Sequence, residues 1–360
     1  MSACTACLRR TWLLSALAGH LETERARIGE LLRLEDARLI AAVGGARRPQ
    51  LEAAHERFGE PQAELARARI DASAMEAICR CQRGYPESLR DLAAPPAVLH
   101  IGGAMRSADL MDRPHVALVG ARGASAYGTA VAHSLGAALA ASGVTVISGM
   151  APGIDGESHL GALSAHGLTV AVMPGGADRP YPASAAPLHR QLARAGALVS
   201  ELPPGTAVRR WMFAARNRVI AALAEVTVVI EASERSGSLL TAGLCAELGR
   251  RLAAVPGPVT SRLSQGPNRL ILEGAALVRG AADVLDLLYG VGQRPAPADG
   301  RPALSAVQQQ LLDAVAGGLD SAAALCARGI GGSRCLAELA ALELGGRIRR
   351  AAGGRLVVIP

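Results

Sequence analysis

Lysine is absent from this 360-residue chain, so every one of its 38 basic side chains is arginine. A phosphate-loop lysine and a Schiff-base lysine are excluded with it, and the pattern GxxxxGK[ST] is missing. The dinucleotide fingerprint GxGxxG is missing too. Aromatic residues are scarce, with two Trp, two Phe and four Tyr, so a stretch that gathers rings stands out. No apolar run reaches the ~18–20 residues that a membrane-spanning helix needs. The apolar patch at 11–18 is followed at once by acids with no cleavage site. The expectation is a cytoplasmic protein without a membrane partner. No carboxylate pair or nucleophile–base couple can be located, so neither an enzyme nor a cofactor is expected.

Cysteine is present but odd in number: seven, at 4, 7, 79, 81, 245, 326 and 335. Cys4 and Cys7 form a CxxC and Cys79 and Cys81 a CxC, which makes zinc conceivable. No His lies at ligand spacing beside either pair, and zinc ribbons use two CxxC turns. Reduced thiols and no metal are the expectation.

Half of the residues are hydrophobic, enough for a sizeable core, and the length suits two or three domains. The net charge of +7 permits a polyanion partner without demanding one. Residues 1–84 read as a helical domain resembling a SAM or helix-hairpin-helix bundle, with helices as far as about residue 80. Residues 85–289 alternate strands and helices, the pattern of a doubly wound, Rossmann-like parallel sheet. Residues 290–303, rich in Pro and Gly, read as a linker. Residues 304–360 offer three helices and a hairpin, a winged-helix-like module.

The sheet region is organised around His115 to Asp155. A short apolar strand ends in Gly120-Ala121-Arg122-Gly123, a helix follows, and a second strand closes on Ser148-Gly149. That βαβ unit sets backbone amides at a helix N-terminus, where an anion is favourable, with Arg122 beside them. Asp155 is expected to cap the next helix. Further on, residues 209–218, RRWMFAARNR, hold four Arg, no acid, one of the two Trp and one of the two Phe. Rings among guanidiniums suit unstacked bases and their backbone. The plainer reading sends Trp211 and Phe213 into the core. Arg235-Ser236-Gly237-Ser238 opens another helix and is a second anion site.

GARGASAYG, SGMAPGIDGESH, VMPGGADRPYP, SELPPGT and RRWMFAARNRVIAALAEVTVVIEASERSGSLLTAG, in that order, resemble the DNA processing protein A (DprA, or Smf) family over about 84–288. The resemblance implies a non-enzymatic, homodimeric single-stranded DNA-binding protein. Such a protein protects incoming strands and loads RecA recombinase in natural transformation. It also implies that Arg122, Ser125, Ser148 and Gly149 contact DNA phosphate. Arg216, Asn217 and Arg218 match the family's RNR, with Phe213 as a stacking ring, and Ser236, Gly237 and Ser238 match its RSGS loop. Leu270 and Ile271 fall at the family's dimer contact. Ala214 and Ala215 depart from the Pro and basic residue that many members carry. The alternative is a nucleotide-binding or nucleotide-hydrolysing enzyme of a related fold. Against it, Pro174-Gly175-Gly176 continues as Ala177-Asp178-Arg179-Pro180, without the Gly-Thr and Glu of that signature.

Overall fold

The computed structural model describes residues 3–110, 113–294, 304–327 and 332–359, so the expected linker lies mostly outside the described residues. The amino-terminal segment forms α1 (Thr5–Ala16), α2 (Ala18–Thr23), α3 (Ile28–Leu31), α4 (Asp36–Val43), α5 (Arg48–Glu56) and α6 (Glu60–Ala72). The helical reading overruns at its end, because Met75–Cys79 is a strand, β1. Ala74 takes a left-handed backbone (φ 52°) that stops α6. The next five residues pair antiparallel with β2 (Val98–Gly103), Met75 opposite Gly102 and Cys79 opposite Val98. Between these strands lies one helical turn, α7 (Glu87–Arg90).

The remaining strands are short apolar runs closed by Gly, Ser or Pro: β3 (His115–Val119), β4 (Thr145–Ser148), β5 (Thr169–Val172), β6 (Ala197–Ser200), β7 (Val226–Val229), β8 (Arg251–Ala254) and β9 (Ala276–Leu277). The helices that cross over between them are α8 (Ala126–Ala141), α9 (Ile154–Ser164), α10 (Ala186–Ala195), α11 (Trp211–Leu223), α12 (Gly237–Glu247) and α13 (Gln265–Leu272), with α14 (Ala281–Tyr289) after β9. Two boundaries move. The helix expected at 219–224 begins eight residues earlier, at Trp211, because the basic stretch is itself helical. Asp155 is not a cap but a buried residue of the first turn of α9, and Gly153 stands at the N-cap.

Among the described residues the strands run in the order β1-β2-β6-β5-β4-β3-β7-β8-β9. The pairs β1–β2 and β2–β6 are antiparallel and the others parallel. Successive side chains of a strand point to opposite faces. Ala117 and Val119 therefore pack with α11 and α12, while Val116 and Leu118 pack with α8, α9 and α14. From β3 the chain steps outward through β4, β5 and β6, then returns to place β7 on the other side of β3. The helices leaving β3 and β7 cover opposite faces. At such a reversal the carboxyl ends of two adjacent strands diverge into a crevice, where ligands of open α/β sheets bind.

The helical segment shares its core with the sheet. Trp211, 1% exposed, sits among Leu13, Leu17 and Leu31, and its indole N–H donates to the Ala18 carbonyl at 3.0 Å. This ring is core, as the plainer reading has it. The carboxy-terminal module contains α15 (Ala306–Ala316), α16 (Ala322–Cys326), α17 (Gly332–Leu344) and an antiparallel hairpin, β10 (Ile348–Arg350) with β11 (Leu356–Val358). These elements enclose a small core of their own around Leu311, Leu339 and Leu356. Among the described residues no helix is long and apolar enough to cross a membrane.

Candidate nucleic-acid interface

A cavity of about 220 Å³ opens at the reversal of strand order, lined by Arg122, Asp155, Phe213, Arg216, Ser236 and Ser238 among others. Sequence positions from four separate stretches thus meet at one place. Their roles divide between the wall of the crevice and its mouth.

The wall is internally satisfied. Ser125 caps α8, accepting from the Gly128 amide at 3.1 Å. Its own amide and hydroxyl both donate to the buried Glu231 carboxylate, at 2.8 and 2.5 Å. A Cβ on Gly128 would lie 2.2 Å from Glu231 Oε2, so only glycine leaves room for that carboxylate. The positive end of α8, expected to face DNA phosphate, therefore already holds an anion of the protein itself. Ser148 is fully buried and donates to the Leu118 carbonyl at 2.6 Å, tying β4 to β3.

Arg216 runs inside the protein, 7% exposed, and donates to the Val172 carbonyl at 2.7 Å and to Asn217 Oδ1 at 3.2 Å. It passes Gly149 so closely that a Cβ there would fall 1.8 Å from Nη1. Gly149 thus makes space for a guanidinium, and its amide donates to Asp155 at 3.2 Å. Burial pushes the Asp155 carboxyl above its ordinary value, while Arg216 and the amides of Ala151, Gly149 and Gly120 pull the other way. Burial lowers Arg216 to about 10, against the attraction of Asp155; it stays charged at neutral pH. Arg218 points away from Arg216. Two residues along a helix is a turn of about 200°, so its side chain leaves the far side of α11. There it donates to both oxygens of Glu201 at 2.5 Å and to the Ala94 carbonyl at 2.6 Å.

The mouth is different in character. The Arg122 guanidinium stands 4.8 Å from the centroid of the Phe213 ring, and the Tyr181 ring lies 5.6 Å from Phe213 on a tilt of 58°. One cation and two rings form an open stack in a chain with few rings. Asn217 donates to the Gly237 carbonyl at 3.3 Å, holding α11 against the start of α12. At that start Ser236 accepts from the Ser238 amide at 3.4 Å, and the two hydroxyls are 2.7 Å apart. Arg179, Arg209, Arg210 and Arg235 are exposed on loops and turns at the carboxyl ends of the strands. Tyr181 and Arg179 were missed by the sequence reading; the ring in ADRPYP, in a chain of four Tyr, was the available signal.

Other expectations fall elsewhere. Leu270 and Ile271 are half-buried against the sheet core, whereas Leu272 beside them is 88% exposed. The loop Pro174-Gly175-Gly176 is buried and closed: a Cβ on Gly175 would meet the Thr206 carbonyl at 2.8 Å and one on Gly176 would meet Asp178 at 2.5 Å. A larger cleft of about 810 Å³, between the helical segment and the sheet, is walled largely by apolar side chains such as Trp12, Phe58 and Leu65.

The family model for DNA recombination-mediator protein A matches residues 76–289. A DprA-type DNA processing protein of Mycobacterium tuberculosis is 43% identical over 226 residues, which make up 62% of this chain and 58% of that relative. The match thus spans somewhat under three fifths of the relative's length. Among solved structures, DNA processing protein A of Streptococcus pneumoniae aligns with a TM-score of 0.63 and 29% identity, over 79% of this chain and 98% of that one. DNA processing protein A of Helicobacter pylori, solved to explain its single-stranded DNA binding mode, aligns with a TM-score of 0.54 and 27% identity, over 60% and 97%.

Proposed function

The chain belongs to the DNA recombination-mediator protein A family, and from that premise we propose that it binds single-stranded DNA at the mouth of the crevice. The observation that carries the reading is the open stack of Arg122, Phe213 and Tyr181. A base freed from a duplex presents a π-face, and stacking on an aromatic side chain contributes about 1–3 kcal/mol per base. A duplex keeps those faces covered, so the stack favours single strands. The exposed Arg122, Arg179, Arg209, Arg210 and Arg235 supply attraction to phosphate that ignores sequence. The two hydroxyls at the positive start of α12 offer one phosphate a seat. The single-stranded DNA binding described for the Helicobacter pylori protein supports the same ligand.

The reading extends to binding without catalysis. The two acids of the wall are committed, Glu231 to Ser125 and Asp155 to backbone amides and Arg216. Protection of incoming strands, loading of RecA and work as a homodimer follow from the family resemblance. For the dimer, Val259, Leu272 and Leu277, 88%, 88% and 47% exposed, place apolar surface near the end of the sheet domain.

The test is titration of matched single- and double-stranded oligonucleotides over a salt series, parent beside Arg122→Glu and Phe213→Ala. A single-strand preference is expected, lost in Arg122→Glu with a salt slope lower by about one unit. Phe213→Ala is expected to weaken binding by about 5- to 150-fold. Variants that bind like the parent would remove the stack from the interface.

A further inference from the structure

Four cysteines that the sequence holds far apart meet at one point. Cys4 is the residue before α1 and Cys7 lies in its first turn, while Cys79 closes β1 and Cys81 follows in the turn. All four Sγ atoms lie within 4.8 Å of one another. Each spacing fits its own element. Positions three apart at a helix start share a face, which sends the CxxC sulfurs one way, and the turn after β1 brings Cys81 to the same point as Cys79. The sequence expectation of isolated thiols missed this because neither pair looks complete alone, and no local pattern shows that α1 packs against the end of β1.

The spacing of the sulfurs is that of ligands around an ion. Cys7 and Cys81 Sγ are 3.7 Å apart, and a tetrahedron with metal–sulfur bonds of about 2.3 Å has edges of about 3.8 Å. A disulfide would need the two sulfurs at about 2 Å. The Cys4 amide also points at Cys79 Sγ, 3.5 Å away, the kind of donor that supports a ligating thiolate. The Ala3 carbonyl just before it is held by Arg67 of α6 at 3.1 and 3.2 Å, which fixes the approach of the chain.

We propose that Cys4, Cys7, Cys79 and Cys81 bind one zinc-class divalent ion as a closed four-thiolate site that fastens α1 to the edge strand of the sheet. Four protein ligands leave no open position, so the ion is structural. It closes a loop of 75 residues between Cys4 and Cys79, and binding it adds to folding stability.

The full chain, freed of any affinity tag and purified without chelator, is the material for the test. Elemental analysis is expected to find one zinc per chain, and cobalt exchanged into the site is expected to give the intense visible bands of a tetrahedral thiolate complex. Thiol reagent should spare these four cysteines until a chelator is added, and the chelator should lower Tm. Cys79→Ser with Cys81→Ser should lose the ion, while Cys326→Ser should keep it. If the double variant does not fold, the cobalt spectrum of the unaltered chain decides. A metal-free protein whose four thiols react at once, or a mass spectrum showing a Cys7–Cys81 disulfide, would overturn the proposal.

Discussion

Arg122 and Arg216 border the same cavity, yet the physics of burial gives them separate work. Arg122 is exposed over a ring, so Arg122→Ala is expected to change stability by no more than about 0.5 kcal/mol. Arg216 is a buried charge that offsets the charge of Asp155 and bonds the Val172 carbonyl, and Arg216→Ala removes both. A loss of about 3–5 kcal/mol is expected on urea unfolding; equal midpoints for the two variants would contradict the division. Gly149→Ala should damage the fold for a related reason, since its Cβ would overlap Arg216. At this scale the sequence was legible in composition and misleading in grouping. Arg216, Asn217 and Arg218 read as one basic patch, but at 3.6 residues per turn neighbours two apart do not face together. The side chain of Arg218 goes instead to Glu201, an acid 17 positions away that no local pattern singles out.

Two helix starts of opposite fate flank the crevice. That of α12 lines the cavity with two hydroxyls, while that of α8 is taken by Glu231. Ser236→Ala is therefore expected to cost about 1 kcal/mol of capping and to weaken single-stranded DNA binding. Glu231→Ala removes the acceptor of two hydrogen bonds and should cost about 1–3 kcal/mol. It should not weaken DNA binding, since it withdraws a negative charge from the wall. A well-folded Glu231→Ala protein that no longer binds would mean that Glu231 itself orders the interface. The glycine turn reads as an anion site; that Glu231 from the end of β7, more than a hundred residues on, bonds its helix start is not visible in the turn itself. β1 was hidden for a similar reason. MEAIC carries no alternation of its own and becomes a strand by pairing with β2.

Across the whole molecule the alternation of apolar runs and helices was enough to foresee the doubly wound sheet. It could not show how far the helical segment merges with it, because cores that join Trp211 to Leu13, or Cys7 to Cys79, are long-range packing. The core of the sheet also buries polar groups, with a consequence for pH. Burial holds three histidines below their ordinary 6.5: His100 and His115 at about 4 and His159 at about 3. The folded state thus refuses protons that the unfolded chain accepts as pH falls below 6.5. Stability is full above that value and declines down to about 4, where the folded histidines begin to titrate. Three such groups give a slope of up to about 4 kcal/mol per pH unit. Asp155, raised by burial, acts in the opposite sense nearer its ordinary 3.8. Urea midpoints between pH 7 and pH 4.5 measure the slope, and His115→Gln should flatten it by about 1.4 kcal/mol per unit, the share of one proton. An unchanged slope in that variant would place the acid sensitivity in groups other than the buried histidines.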